Sequence, residues 1–139
     1  MTETLIILLR IAASVQLAIA ALNLFLPRIL GWRENLQRMP LLMREVFHVH
    51  AWFVSITLII FALISWRFAP DLADPDTNPL ARWLAASIGG FWAIRTAIQV
   101  FYYSSSHWRG LRGPTIVHIT LLVIYGAMSA VYLWCSFRP

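Results

Sequence analysis

Four runs of roughly twenty mainly apolar residues, set apart by prolines, dominate this sequence, and a helix of about that length is what crosses a bilayer core. They lie near Leu5 to Leu26, Leu42 to Trp66, Leu80 to Tyr103 and Thr115 to Trp134. Pro27, Pro40, Pro70 with Pro75 and Pro79, and Gly113-Pro114 fall in the gaps, as helix breakers should between spans. Composition agrees: 60% of the residues are hydrophobic and only 12% charged, whereas a soluble domain is charged at about a quarter of its positions. The chain therefore reads as an all-α integral membrane protein, a single four-helix transmembrane bundle with short loops that forms one domain over residues 1–139. The first run is long for the apolar part of a signal peptide, and Arg10 lies inside it rather than before it, so it is read as a true span.

The formal charge of +5 comes from 11 basic residues, all arginine, that mostly lie between the apolar runs. That placement marks topology and gives no reason to expect a nucleic-acid partner. The first connection carries Arg28, Arg33, Arg38 and Arg44 against Glu34 and Glu45, and the third Arg109 and Arg112, while the second carries Asp71, Asp74 and Asp76 with Arg67 and Arg82. An arginine excess on the odd loops predicts that they are cytoplasmic and both termini extracytoplasmic, in a bacterial inner membrane. Trp32, Trp66, Trp83, Trp108 and Trp134 stand near the predicted span ends, where interfacial aromatics belong. Ile29 to Met39 is expected to form an amphipathic surface segment. Cys135 is alone, which excludes an internal disulfide and leaves it a small packing residue.

At helical spacing each span acquires a polar stripe. In the first, Gln16 and Asn23 share a face with Ala13 and Ala20; in the second, Glu45, His48, Trp52 and Ser55 align. In the third Arg95, Gln99 and Tyr102 align, and in the fourth His118, Tyr125, Ser129 and Tyr132. Lipid offers such groups no partner, so the stripes are expected to turn inward, toward one another or a ligand. Gln16, Asn23, Ser55 and Ser129 are adequately explained as interhelical glue worth about 1 kcal/mol each. Glu45, His48, Arg95 and His118 ask for more, because glue does not need ionisable groups. A Glu45–Arg95 pair is the expected neutralisation of Arg95, with a ligand carboxylate or phosphate as the alternative. His50 is turned by about 200° from His48 on a helix of ~3.6 residues per turn, so it is read as facing an interface or a partner. His107 is read as a solvated or headgroup-contacting loop histidine, and Gly89-Gly90 as a close helix contact.

Two inward histidines near one membrane face predict a haem b held by His48 and His118 as axial ligands, which would make the protein a redox or electron-transfer membrane protein. Glu45, Arg95, Gln99 and Tyr102 complete the expected cofactor-binding set. Glu45-x-x-His48 at the start of the second span, with a lone His118 at the start of the fourth, resembles one four-helix half of the haem A synthase family. In that family a Glu-x-x-His-Arg motif and a later histidine frame the haem; here Val49 stands where the family has its arginine. The resemblance implies a haem pocket and carries no enzyme assignment with it.

Two further readings stay open. Glu45, His48 and His118 would hold a transition metal in a mononuclear non-haem site, or the protein is a non-catalytic subunit or assembly factor of a larger membrane complex that binds no cofactor. Homo-oligomerisation fits a bundle with so little interior. No phosphate-binding glycine loop, nucleophile elbow, Cys-x-x-Cys pair or zinc-protease helix is present, which sets soluble hydrolase and kinase functions aside.

Overall fold

The computed structural model describes residues 1–74, 78–102 and 112–138. These form α1 (Thr2–Ile29), α2 (Arg33–Arg38), α3 (Leu41–Arg67), α4 (Ala69–Ala73), α5 (Pro79–Phe101) and α6 (Arg112–Phe137). The all-α class read from the sequence is the class observed. Four helices, Thr2–Ile29, Leu41–Arg67, Pro79–Phe101 and Thr115–Phe137, are long and apolar enough to cross a membrane.

The helix boundaries depart from the proline punctuation for local reasons. The sequence places the first stop at Pro27, but Pro27 lies inside α1 and the stop is Gly31. With φ at +65°, Gly31 takes up the left-handed conformation open to a residue without Cβ. Its N–H donates to the Arg28 carbonyl at 3.3 Å and that of Trp32 to the Pro27 carbonyl at 3.0 Å, the paired bonds of a Schellman cap. Likewise Gly113-Pro114 does not precede the last helix but opens it. A proline in the first turn forfeits nothing, since its nitrogen would find no carbonyl there. The amphipathic segment expected at Ile29 to Met39 is shortened to α2, whose Leu36 is buried. Met39 then turns extended ahead of Pro40, as a residue before proline does, and α3 begins at once.

Packing divides the chain into two compact units, one of Arg10–Arg67 and one of Met1–Leu9 with Phe68–Pro139. In the first, Ser55, Leu58, Ala62 and Ser65 of α3 are buried at the three-and-four spacing of one helical face. Ala12, Ala13, Gln16 and Ala20 of α1 are buried as well, and Asn23 is half-buried, so the face expected to turn inward does so. Ser55 Oγ donates to the Ala20 carbonyl at 3.2 Å, a bond between helices that a small residue at position 20 permits.

In the second unit α5 begins with Asn78, whose side chain accepts the Leu80 N–H at 2.9 Å, and with Pro79 at its first position. Helices α5 and α6 run antiparallel. Ser136 Oγ donates to the Arg82 carbonyl at 3.0 Å and Ser129 Oγ to the Gly89 carbonyl at 3.1 Å. These two tiers are seven residues apart on both helices, two turns, so one face of each meets the other twice. Between them a Cβ built on Gly89 would come within 2.8 Å of the Leu133 side chain and 3.0 Å of its backbone nitrogen. The close contact expected at Gly89-Gly90 is thus made by Gly89 alone, for a Cβ on Gly90 meets nothing within 4 Å.

Candidate functional site

Further along the same α5–α6 face, the third tier is built from ionisable and amide side chains. Gln99, buried on α5, brings its Nε2 to 2.9 Å from Nδ1 of His118 on α6. One turn back on α5, Arg95 Nη1 donates to Gln99 Oε1 at 3.0 Å. Arginine only donates, so it fixes which end of the amide is oxygen, and the amide nitrogen must then donate to His118. Nδ1 of His118 is accordingly an acceptor, and the neutral ring carries its proton on Nε2.

Aromatic contacts hold the cationic end of this relay. The Arg95 guanidinium carbon lies 4.8 Å from the centroid of the Tyr125 ring, a cation–π distance. Tyr125 in turn stacks on Trp92 with centroids 5.3 Å apart and an angle of 27° between the rings. Both rings are buried. Trp92 also meets Phe91 edge to face. The sequence reading included Arg95, Gln99, His118 and Tyr125, which the structure brings together, and left out Trp92. The spacing holds the missing signal, since Trp92 stands one turn before Arg95 on the stripe that leads to Gln99. Tyr102, placed on that stripe by the sequence, is exposed at the C-terminal cap of α5.

The α3 residues form no comparable cluster. Glu45, His48 and His50 are exposed, and so is Trp52, while Ser55 one turn further is buried. His48 Nδ1 lies 2.7 Å from the carbonyl of Arg44. A carbonyl only accepts, so here Nδ1 carries the proton and the neutral ring presents a lone pair at Nε2. Phe47 packs edge to face against the same imidazole. His48 and His118 are therefore opposite tautomers.

That difference bears on ligation. An imidazole that binds iron through Nε2 ordinarily donates its Nδ1–H to a nearby acceptor. His48 has this arrangement with the Arg44 carbonyl. His118 has the reverse for as long as Arg95 orients the Gln99 amide. Among the described residues no three His, Cys, Asp or Glu side chains gather as a group able to hold a metal ion. Nor is any charged side chain buried among them: Arg95 is half-buried, and Gln16, Ser55, Ser65, Gln99, Ser129 and Ser136 are the buried polar residues. Every buried side-chain nitrogen and oxygen among the described residues has a hydrogen-bond partner. His107, Trp108, Arg109, Tyr103 and Asp76 lie outside the described residues.

Compared with protein-family models, with curated proteins and with solved structures, the chain finds no match.

Proposed function

We propose that the protein is a membrane-embedded subunit or assembly factor of a larger membrane complex, in which α5 and α6 form a pre-fastened hairpin and α3 meets the partner. The observation that carries this reading is the exposure of α3. Its apolar window is 17% buried, the lowest share of the four spans, against 33%, 28% and 22% for the others. Glu45 and His48 stand on that exposed helix beside Val49, Trp52 and Phe53. Ionisable groups that lipid cannot satisfy, flanked by large apolar side chains, suit a protein partner within the membrane better than acyl chains. The relay joins α5 to α6 and supports a fastening role. The arginine-rich odd connections face the cytoplasm in this proposal, with both termini on the other side of a bacterial inner membrane.

A second reading, a haem b-binding redox protein, is favoured by one observation, the ligand-ready tautomer of His48. In that case His48 would hold the iron through Nε2. His118 could do the same only after Gln99 turns over and Arg95 gives up its bond to the amide oxygen. Bound haem would contribute one-electron chemistry, and Arg44 would position His48 through its carbonyl.

A photo-reactive amino acid placed at Val49 in cells tests the first reading. A cross-linked product with one different membrane protein is expected, and products with lipid or with a second copy only would contradict it. The absorption spectrum of the purified chain separates the second. A Soret band that disappears in His48→Ala would establish the redox reading in place of the first.

A further inference from the structure

At the end of the α5–α6 hairpin remote from the relay, a cleft of about 450 Å³ is lined by Arg82, Trp83, Ala86, Ser136, Phe137 and Arg138. That volume falls within the ordinary range for small-molecule sites, ~300–1,000 Å³. Two arginines from different helices share it. Each has a simpler explanation taken singly, Arg82 as a topology charge and Arg138 as a cation beside the C-terminus of α6. Neither explanation requires the two to line one cleft.

The cleft is also held in shape. Ser136 Oγ bonds the carbonyl of Arg82 itself, fastening the first turns of α5 to the last turn of α6. The Arg82 N–H donates to Asn78 and that of Arg138 to Trp134, so both arginine backbones continue regular helical bonding. Position along the spans then indicates the ligand. Trp83 is 73% exposed and Phe137 75% exposed, at the beginning of one membrane-length helix and the end of another. Exposed aromatics at span ends sit at headgroup level, the depth of the lipid phosphates. Guanidinium groups there match the paired oxygens of a phosphodiester.

We propose that this cleft binds the phosphate of an anionic phospholipid headgroup between Arg82 and Arg138, with Trp83 and Phe137 against the glycerol and upper acyl region. A bound lipid would link α5 to α6 at the end opposite the relay.

Native mass spectrometry of the full chain in mild detergent, titrated with phosphatidylglycerol and with phosphatidylcholine of the same acyl chains, tests this. With each arginine near a lipid surface contributing about fivefold in affinity, a preference of about 25-fold for the anionic lipid is expected. Arg82→Gln or Arg138→Gln should each lower the preference about fivefold. Arg82→Lys should retain most of it, and Arg28→Gln, which removes the same charge elsewhere, should leave it intact. Equal binding of the two lipids, or a preference that survives the double Arg82→Gln, Arg138→Gln substitution, would overturn the proposal. So would displacement of phosphatidylglycerol by millimolar inorganic phosphate, which would make the free anion the ligand.

Discussion

Gln99→Leu is expected to destabilise the α5–α6 hairpin by roughly 2–4 kcal/mol. Gln99 is buried and serves two partners, accepting from Arg95 and donating to His118. Leucine nearly fills the volume but takes one partner from each neighbour. A buried polar group that loses its bond costs about 1–3 kcal/mol in proteins generally, and interhelical bonds within membranes measure about 0.6–1.7 kcal/mol. Gln99→Glu is the informative companion. Its carboxylate still accepts from Arg95 but cannot donate, so His118 must move its proton to Nδ1 to keep the contact. The glutamate variant should therefore lose less stability than the leucine variant while reversing the His118 tautomer. Reversible unfolding in mixed micelles with increasing dodecyl sulfate measures both. A Gln99→Leu variant within about 0.5 kcal/mol of the parent, the range usual for an uninvolved surface site, would contradict the relay.

The second large effect is expected at Gly89. In Gly89→Ala the new methyl group meets the side chain and backbone nitrogen of Leu133 at 2.8–3.0 Å. Backbone cannot give way as a flexible side-chain end can, so α5 and α6 must separate. That separation would also strain the Ser129 bond to the Gly89 carbonyl. Overpacking of this kind costs about 1–3 kcal/mol, and Gly89→Val should cost more. Gly90 is the control next door. A Cβ there meets nothing within 4 Å, so Gly90→Ala should be neutral or stabilising by about 0.5–1 kcal/mol, the gain of alanine over glycine inside a helix. Equal effects at the two glycines would show that α5 and α6 do not approach at Gly89.

How much of this was legible in the sequence differs from element to element. The four long helices follow from hydropathy alone, because nothing else accommodates such runs. Their ends do not. Pro27 and Pro114 read as breakers, yet Pro114 lies in the first turn, where no N–H bond is lost, and α1 runs on past Pro27 to Ile29 with one such bond forgone. The stop after α1 belongs to Gly31, a single glycine whose left-handed backbone a hydropathy pattern does not register. The α5 and α6 stripes were readable because spacing alone puts Arg95 and Gln99 on one face, and His118 and Tyr125 on another. Spacing also aligned Glu45, His48, Trp52 and Ser55 on α3, but it gives a direction around the helix and says nothing of how far along it a neighbour extends. Burial begins only at Ser55. The opposite tautomers of the two histidines were beyond reach, since each is imposed by a partner's geometry: a carbonyl one turn back for His48, and an amide oriented by Arg95 for His118.

The tautomers of His48 and His118 are directly measurable. A long-range ¹H–¹⁵N correlation spectrum of the histidine side chains in micelles reads the protonated nitrogen of each ring. His118 is expected to carry its proton on Nε2 and His48 on Nδ1, and Gln99→Glu to move the His118 proton to Nδ1 while leaving His48 unchanged. A His118 ring protonated on Nδ1 in the parent protein would contradict the Arg95–Gln99–His118 relay and would return both histidines to the ligand-ready form that a shared haem requires.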